Sequence, residues 1–365
     1  KVFGWAWALH FFISKFLTST PGLNVPGGFA TRCYNKSMFF RRKKETNEKT
    51  ILVIDIESGS VGGALVGLSL TEAPKFFSQK RIYFPSLPTR DSASLFSRLD
   101  PAVGDIIRHL SHVAARIRHH TEGERGGISR VVFFLHAPWV LMGIPERGKV
   151  SLDAPEELLG SLRTKAEAML GNVETSFQSF GSRVPPIVGN VFDETEDLIL
   201  VHIMGEVTEL AKTENGVLVS HATIPLGTHT LVRTFGTHAG MKEAEARSAL
   251  KLLRHDGDSL NPEWREALTA AHDHIMEESK DVIEEIIGSS TKPQRVYTLA
   301  PTPLSQWFTK GLTEDDRLAD LFPEGSSARS LHPHHAKQFL GVHPAIPDLP
   351  LSFEALSIQA RMSGI

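Results

Sequence analysis

Two short stretches of this chain combine residue types suited to holding an anion and a cation together. Asp55-Ile56-Glu57-Ser58-Gly59-Ser60 follows the apolar run Ile51-Leu52-Val53-Ile54. A carboxylate at the end of a buried strand suits Mg2+, which prefers hard oxygen ligands and keeps several waters. The turn beyond it can aim backbone N–H groups and short hydroxyls at an anion. Gly205-Glu206-Val207-Thr208 is a second place where backbone can approach a phosphate closely. Each stretch also has a plainer reading as turn chemistry, since hairpins use the same small residues without any ligand. His332, His334 and His335 offer imidazoles for zinc, copper or nickel. No carboxylate or cysteine accompanies them, so they read, like His119-His120, as a solvated surface that takes metal adventitiously.

The elements that must position these stretches emerge from periodicity. Ile51–Ile56 and Val61–Ser69 read as two buried strands joined through Ser58-Gly59-Ser60, a hairpin. A third strand is expected at Lys80–Phe84. Val103, Ile106, Ile107, Leu110, Val113, Ala114 and Ile117 keep one face of a 3.6-residue repeat, a helix begun near Pro101. Val131–Leu135 is the next strand, and Pro155–Leu170 a further helix. The order then recurs in outline. Asp197–Leu210 and Gly216–Ile224 are strand-like and joined by an Asn215-Gly216 turn. Helices come next at Lys242–Arg254, Pro262–Glu278 and Asp281–Ile287, then a strand at Arg295–Leu299 and a helix around Leu304–Leu312. A duplicated α/β architecture with a cleft between its halves is the economical interpretation.

Composition narrows the function classes. With 365 residues, 41% apolar and 22% charged, the chain suits two folded domains and not wholesale disorder. A formal net charge of −3 removes the case for a general nucleic-acid binder. Cys33 is the only cysteine, which excludes an intrachain disulfide framework and cysteine zinc spacing and favours a reducing compartment. The apolar run of the first 14 residues is too short to cross a bilayer. Residues 1–37 read as lying outside the functional fold, with Met38 a natural beginning. In the sharper reading they form a membrane-proximal anchor, with Arg41-Arg42-Lys43-Lys44 on anionic headgroups.

Taken together, the two stretches resemble the phosphate loops of the actin-like ATPase superfamily. Ile51–Ile56 with Ser58-Gly59-Ser60 is similar to the first loop, and Leu198–Leu210 with Gly205-Glu206-Val207-Thr208 to the second. Asn215–Leu218 and Ile224-Pro225-Leu226-Gly227-Thr228-His229-Thr230-Leu231 resemble the segment after the second loop in the FtsA and PilM branch, and Ala137-Pro138-Trp139 fits its pilus-assembly side. The resemblance runs in order over roughly residues 50–312.

It implies two RNase H-like halves with ATP and Mg2+ between them. Asp55 would position the metal, and Ser58, Gly59, Ser60, Gly205, Glu206, Val207 and Thr208 would face the β- and γ-phosphates. The implied layout is a 1–49 extension outside the core, a first half at 50–192 with a reduced accessory subdomain, a second half at 193–325, and a loose tail at 326–365.

The sequence departs from that pattern at three places. Glu57 stands where the first loop normally has glycine, setting a carboxylate beside the triphosphate. His202 and Met204 replace the aspartate and extra glycine of the second loop. Pro301 interrupts the adenosine turn and has no N–H to give. Losing a metal-organising carboxylate predicts weak nucleotide binding and slow or absent hydrolysis, and no catalytic residue is assigned.

The expected function is a bacterial actin-like scaffold, cytoplasmic and peripheral to the inner membrane. Its implied partner is an inner-membrane component of type IV pilus assembly, and self-association stays open. An FtsA-like cell-division tether is one alternative, although Leu351–Ile365 shows no clear amphipathic membrane helix. A small-molecule kinase of the same fold is the other. It would need a general base, for which Asp193 or Glu194 would have to serve, in a run better read as a solvated loop.

Overall fold

The alternating burial of one strand explains how the molecule is layered. In β1 (Lys49–Ile56) the residues Leu52, Ile54 and Ile56 face one core while Ile51 and Val53 face another. A strand covered on both faces must be apolar throughout, which is why its sequence shows no alternation. The computed structural model describes residues 48–86, 92–120, 127–142, 152–192, 197–252, 261–288, 294–301, 304–322 and 324–363. The basic cluster at 41–44, the apolar N-terminal run, Asp193 and Glu194 lie outside these.

Two five-stranded sheets share one topology. The first joins β1 to β2 (Ser60–Leu68), β3 (Lys75–Tyr83), β4 (Arg130–Leu135) and β7 (Glu174–Ser179), in the order β3-β2-β1-β4-β7. The second contains β8 (Leu198–Ile203), β9 (Thr208–Glu214), β10 (Val217–Ile224), β11 (Arg295–Leu299) and β12 (Ser327–Ser330), in the order β10-β9-β8-β11-β12. In each, three antiparallel strands precede two parallel ones. The duplicated α/β expectation is therefore met. A two-stranded ribbon, β5 (Leu141–Met142) with β6 (Leu152–Asp153), stands apart from both.

Helices cover one outward face of each sheet. On the first, α1 (Ser92–His120) buries Val103, Ile106, Ile107, Leu110 and Ala114, the stripe that its spacing predicts, and α2 (Glu156–Leu170) adds Leu158, Leu162 and Ala166. Gly63 in β2 lets α1 approach, because a Cβ there would overlap the Ile106 side chain. On the second sheet, α4 (Thr228–His238), α5 (Glu243–Leu250), α6 (Pro262–Ile287) and α7 (Leu304–Glu314) form the layer. Asn261 caps α6 by accepting a bond from Trp264 N at 2.8 Å, ahead of Pro262.

The inward faces are covered by an exchange. The helix following the first sheet, α3 (Phe180–Val191), packs on β8 and β11 of the second. The last helix, α9 (Leu349–Met362), comes after the second sheet and the short α8 (Pro333–Lys337), yet it lays Leu351, Ala355 and Ile358 on the first.

Several expectations are corrected by this architecture. The segment 326–365 is no loose tail: it supplies β12 and the buried α9, whose apolar residues complete two cores. The run Asp197–Leu210 is two strands, not one, broken by a turn at 204–207. The third strand begins at Lys75, and Pro262–Ile287 is a single helix. Among the described residues no helix is long and apolar enough to cross a membrane.

Candidate functional site

The two sequence-nominated stretches occupy equivalent turns. Ile56 pairs with Val61 and Ile203 with Thr208, so each hairpin turns through four residues, 57–60 and 204–207. Each is closed by a backbone bond, Glu57 N to Ser60 O and Met204 N to Val207 O, both 3.0 Å. The equivalence sets His202 opposite Asp55, Met204 opposite Glu57 and Gly205 opposite Ser58. Ser58, Gly59 and Ser60 thus lie on one wall of a crevice, Gly205 and Glu206 on the other. Val207 and Thr208 lead back into β9, where Thr208 Oγ1 donates to Leu226 O at 2.7 Å.

The two walls touch. A Cβ built on Gly59 would lie 2.5 Å from the Gly205 Cα, and Glu206 N donates to Ser58 Oγ at 3.0 Å. The N–H groups at the start of α4, which an anion would seek, are already used. Thr228 N donates to Met204 O and His229 N to Gly205 O, both at 2.8 Å. Glu206 turns to side chains of its own half: Arg233 donates to both its oxygens at 2.7 and 3.0 Å, and His229 Nδ1 lies 2.9 Å away. Burial favours a raised Glu206 pKa, but these hydrogen bonds prevail and hold it at about 2.

Behind the first turn, Arg81 of β3 fills the space where a cation would neutralise phosphate. Its guanidinium donates to Asp55 Oδ2 at 2.6 Å, to Ser60 Oγ at 2.8 Å, and to Asp348 Oδ2 and Oδ1 at 2.7 and 2.8 Å. Glu57 Oε1 completes the ring at 3.2 Å, and its Oε2 accepts from Ser60 Oγ at 2.6 Å. The Arg81 side chain is only 7% exposed. Burial opposes ionisation of Asp55 and Glu57, yet Arg81 keeps both carboxyls below their usual range. Asp348, arriving just before α9, also caps that helix through Leu351 N at 3.3 Å.

On the far side of Asp55 sits His136, one residue past β4 and fully buried. Its Nε2 is 2.7 Å from Asp55 Oδ1, and its Nδ1 is 3.2 Å from Glu209 Oε2. Burial works against a charged ring, but the two carboxylates dominate and raise its pKa well above the ordinary value. Glu209 also accepts from Ala137 N at 2.7 Å, and its carboxyl is held at about 2 against the pull of burial. Because β4 belongs to the first half and β9 to the second, these bonds tie the halves together at depth. Glu354 of α9 faces the same imidazole, Oε1 to Nε2 3.9 Å, with its pKa driven well up by burial and then by the Asp55 charge.

Sequence reasoning does not nominate Arg81, His136, Glu209, Asp348 or Glu354. Arg81 and Asp348 lie 267 positions apart, and no local pattern joins them. The one available signal is Asp348-Leu349-Pro350, which reads as the start of a helix.

A cavity of about 630 Å3 opens between the halves beside the contact of the turns, lined by Gly59, Ser60 and Arg81 of the first half and by Gly205, His229 and Pro301 of the second. It is large enough for a small molecule. Between the turns themselves the residues do not fit a triphosphate, because the two backbones meet, the N–H groups of Glu206, Thr228 and His229 are spent and Arg81 is shared among three carboxylates. Asp55 has an oxygen on Arg81 and the other on His136. This arrangement supports no chemical step through a nucleotide.

No protein-family model and no curated protein sequence matches the chain. Solved structures do. A chain of the "PilM-PilN type IV pilus biogenesis complex" is similar over 86% of this chain and 98% of its own, at 12% identity and a TM-score of 0.55. The ethanolamine utilization protein EutJ from Carboxydothermus hydrogenoformans aligns over 85% of this chain and 89% of its own, at 15% identity and a TM-score of 0.47. The duplicated sheets, the paired turns and the likeness to the pilus chain agree: this protein has the actin-like ATPase fold.

Proposed function

We propose that this protein is an actin-fold scaffold that works as a binding platform, with its interlobe crevice closed where the two turns meet. The observation that carries the reading is the direct meeting of the two turns, Gly59 against Gly205, with Arg81 clasped beside it. Hydrolysis of ATP depends on positioning and charge neutralisation around the γ-phosphate. Here the neutralising cation is bound to Asp55, Glu57 and Asp348 instead. His202, at the position equivalent to Asp55, supplies no second carboxylate for Mg2+. The PilM likeness covers nearly all of that chain and supports an analogous role. In this reading the protein sits against the inner membrane from the cytoplasm and holds a membrane component of a type IV pilus machine.

Two measurements on the full chain test this. Millimolar Mg-ATP is expected to leave the melting temperature unchanged and to release phosphate no faster than buffer. The cytoplasmic segment of a pilus inner-membrane component encoded beside this gene is expected to bind saturably in titration calorimetry. Nucleotide turnover abolished by Asp55→Ala would overturn the closed-crevice reading, and the absence of binding to that segment would overturn the pilus role.

A further inference from the structure

One buried carboxyl group has no role in closing the crevice. Glu354 is fully buried in the middle of α9, and neither carboxyl oxygen has a hydrogen-bond partner among the described residues. Buried polar atoms are ordinarily paired, and a specific exception calls for an explanation. Glu354 is aimed at His136 Nε2, the atom that also faces Asp55. One donor from each of Asp55, His136 and Glu354 lies within 4.8 Å of the other two, and all three residues are buried.

We propose that Asp55, His136 Nε2 and Glu354 form a buried site for one divalent transition cation of the zinc class. The site lies on the α9 side of β1, away from the contact between the two turns.

Three features argue for this chemistry. Metal-bound imidazoles almost always give their other nitrogen to a carboxylate, which fixes the ring. Glu209 does this at Nδ1, and is itself held by Ala137 N. One imidazole with two carboxylates is a donor set for zinc and its neighbours, whereas Mg2+ favours oxygen and water. The surroundings also carry an excess of anionic groups. Among the described residues, Asp55, Glu57, Glu209, Asp348 and Glu354 gather around a single arginine, Arg81, and the imidazole of His136, with His202 beside Glu57 and His221 beside Glu209. Small shifts suffice: the 3.9 Å from Nε2 to Oε1 must shorten toward the spacing of ligands bound at about 2.0–2.2 Å.

A second set, Glu57, His136 and His202, shares the imidazole. It is disfavoured because both Glu57 oxygens are taken by groups outside the set, Arg81 and Ser60, whereas Asp55 Oδ1 faces His136 and neither Glu354 oxygen has a hydrogen bond.

The inference does not rest on the scaffold role or on crevice closure. Full-length protein from zinc-supplemented growth, washed with EDTA, is analysed for metal by mass spectrometry. Retention of about one zinc per chain is expected, because a buried ion exchanges slowly. Glu354→Gln is expected to weaken zinc binding by about 100-fold or more, while His202→Gln and the exposed-side-chain variant His334→Ala leave it in place. Cobalt added during refolding of the wild-type chain gives a readout independent of any variant, namely visible d–d absorption from a nitrogen- and oxygen-bound ion. Metal-free wild-type protein, zinc retained by Glu354→Gln, zinc lost on His202→Gln, or zinc lost on His334→Ala would each overturn the assignment.

Discussion

Arg81 is the residue on which the crevice depends, because among the described residues its guanidinium alone reaches Asp55, Glu57 and Asp348 together. Pairs so well shielded from water are weak evidence of net stabilisation, since desolvation offsets much of their attraction. Removing one partner is another matter. Arg81→Met would take the shared counter-charge from three crowded carboxylates and leave His136 at Asp55 alone, an expected loss of about 3–5 kcal/mol in urea denaturation of the full chain. Arg81→Lys keeps the charge but loses the planar fork that bonds Asp348 through two nitrogens, so it should fall between wild type and Arg81→Met. Adding Asp348→Asn to Arg81→Met should recover part of the loss by removing one of the stranded charges. A cost below about 1 kcal/mol for Arg81→Met would mean that water reaches this cluster freely, as at an exposed ion pair, and the clasp would have no standing.

At the scale of elements, α9 shows what the sequence displayed and what it hid. The strands were legible because β1, β2, β4 and β8 are apolar runs bounded by turn residues, and α1 because one face alone is buried. The paired turns were legible from their small residues. The last helix was not. It is enclosed on most sides, burying Ser352, Glu354, Ser357 and Gln359 along with Leu351, Phe353 and Ile358, so no amphipathic stripe marks it. The polar members have reasons that only the fold supplies: Gln359 Nε2 donates to Ser69 O at 2.9 Å, and Ser352 Oγ to Asp348 O at 2.6 Å. The closing cluster was hidden for the same reason, since its members come from β1 and the turn after it, β3, the residue past β4, β9, and α9 with its cap, and meet only in three dimensions. The packing predicts a large effect from one side chain. Phe353 is fully buried among α3, β8 and β11 residues although its helix also covers the first sheet. Phe353→Ala is expected to cost about 3–5 kcal/mol, as for other large aromatics deleted from a core. A flexible appendage would lose almost nothing, so the denaturation midpoint separates the two descriptions directly.

For the whole molecule, what matters is whether the two halves stay joined in solution. They meet through the Gly59–Gly205 contact, the Glu206 N to Ser58 Oγ bond, the His136–Glu209 pair and an Arg233 bond to Ser86 Oγ at 2.9 Å. The exchanged helices α3 and α9 add apolar packing between the sheets. Parts bound this way unfold together, so fluorescence and far-ultraviolet dichroism should report one coincident transition. A single methyl group then reads the position of the crevice. Gly59 is not in the left-handed region, so alanine meets no backbone strain there. Any cost must come from the opposite wall, whose Cα would stand 2.5 Å from the new Cβ. Gly59→Ala should therefore destabilise by about 1–3 kcal/mol, the usual scale of forced overpacking. In a molecule whose resting crevice is open, the same methyl group would point into solvent and change stability by less than about 0.5 kcal/mol. The smaller value would place the resting state with the halves apart and restore room for a phosphate between the turns.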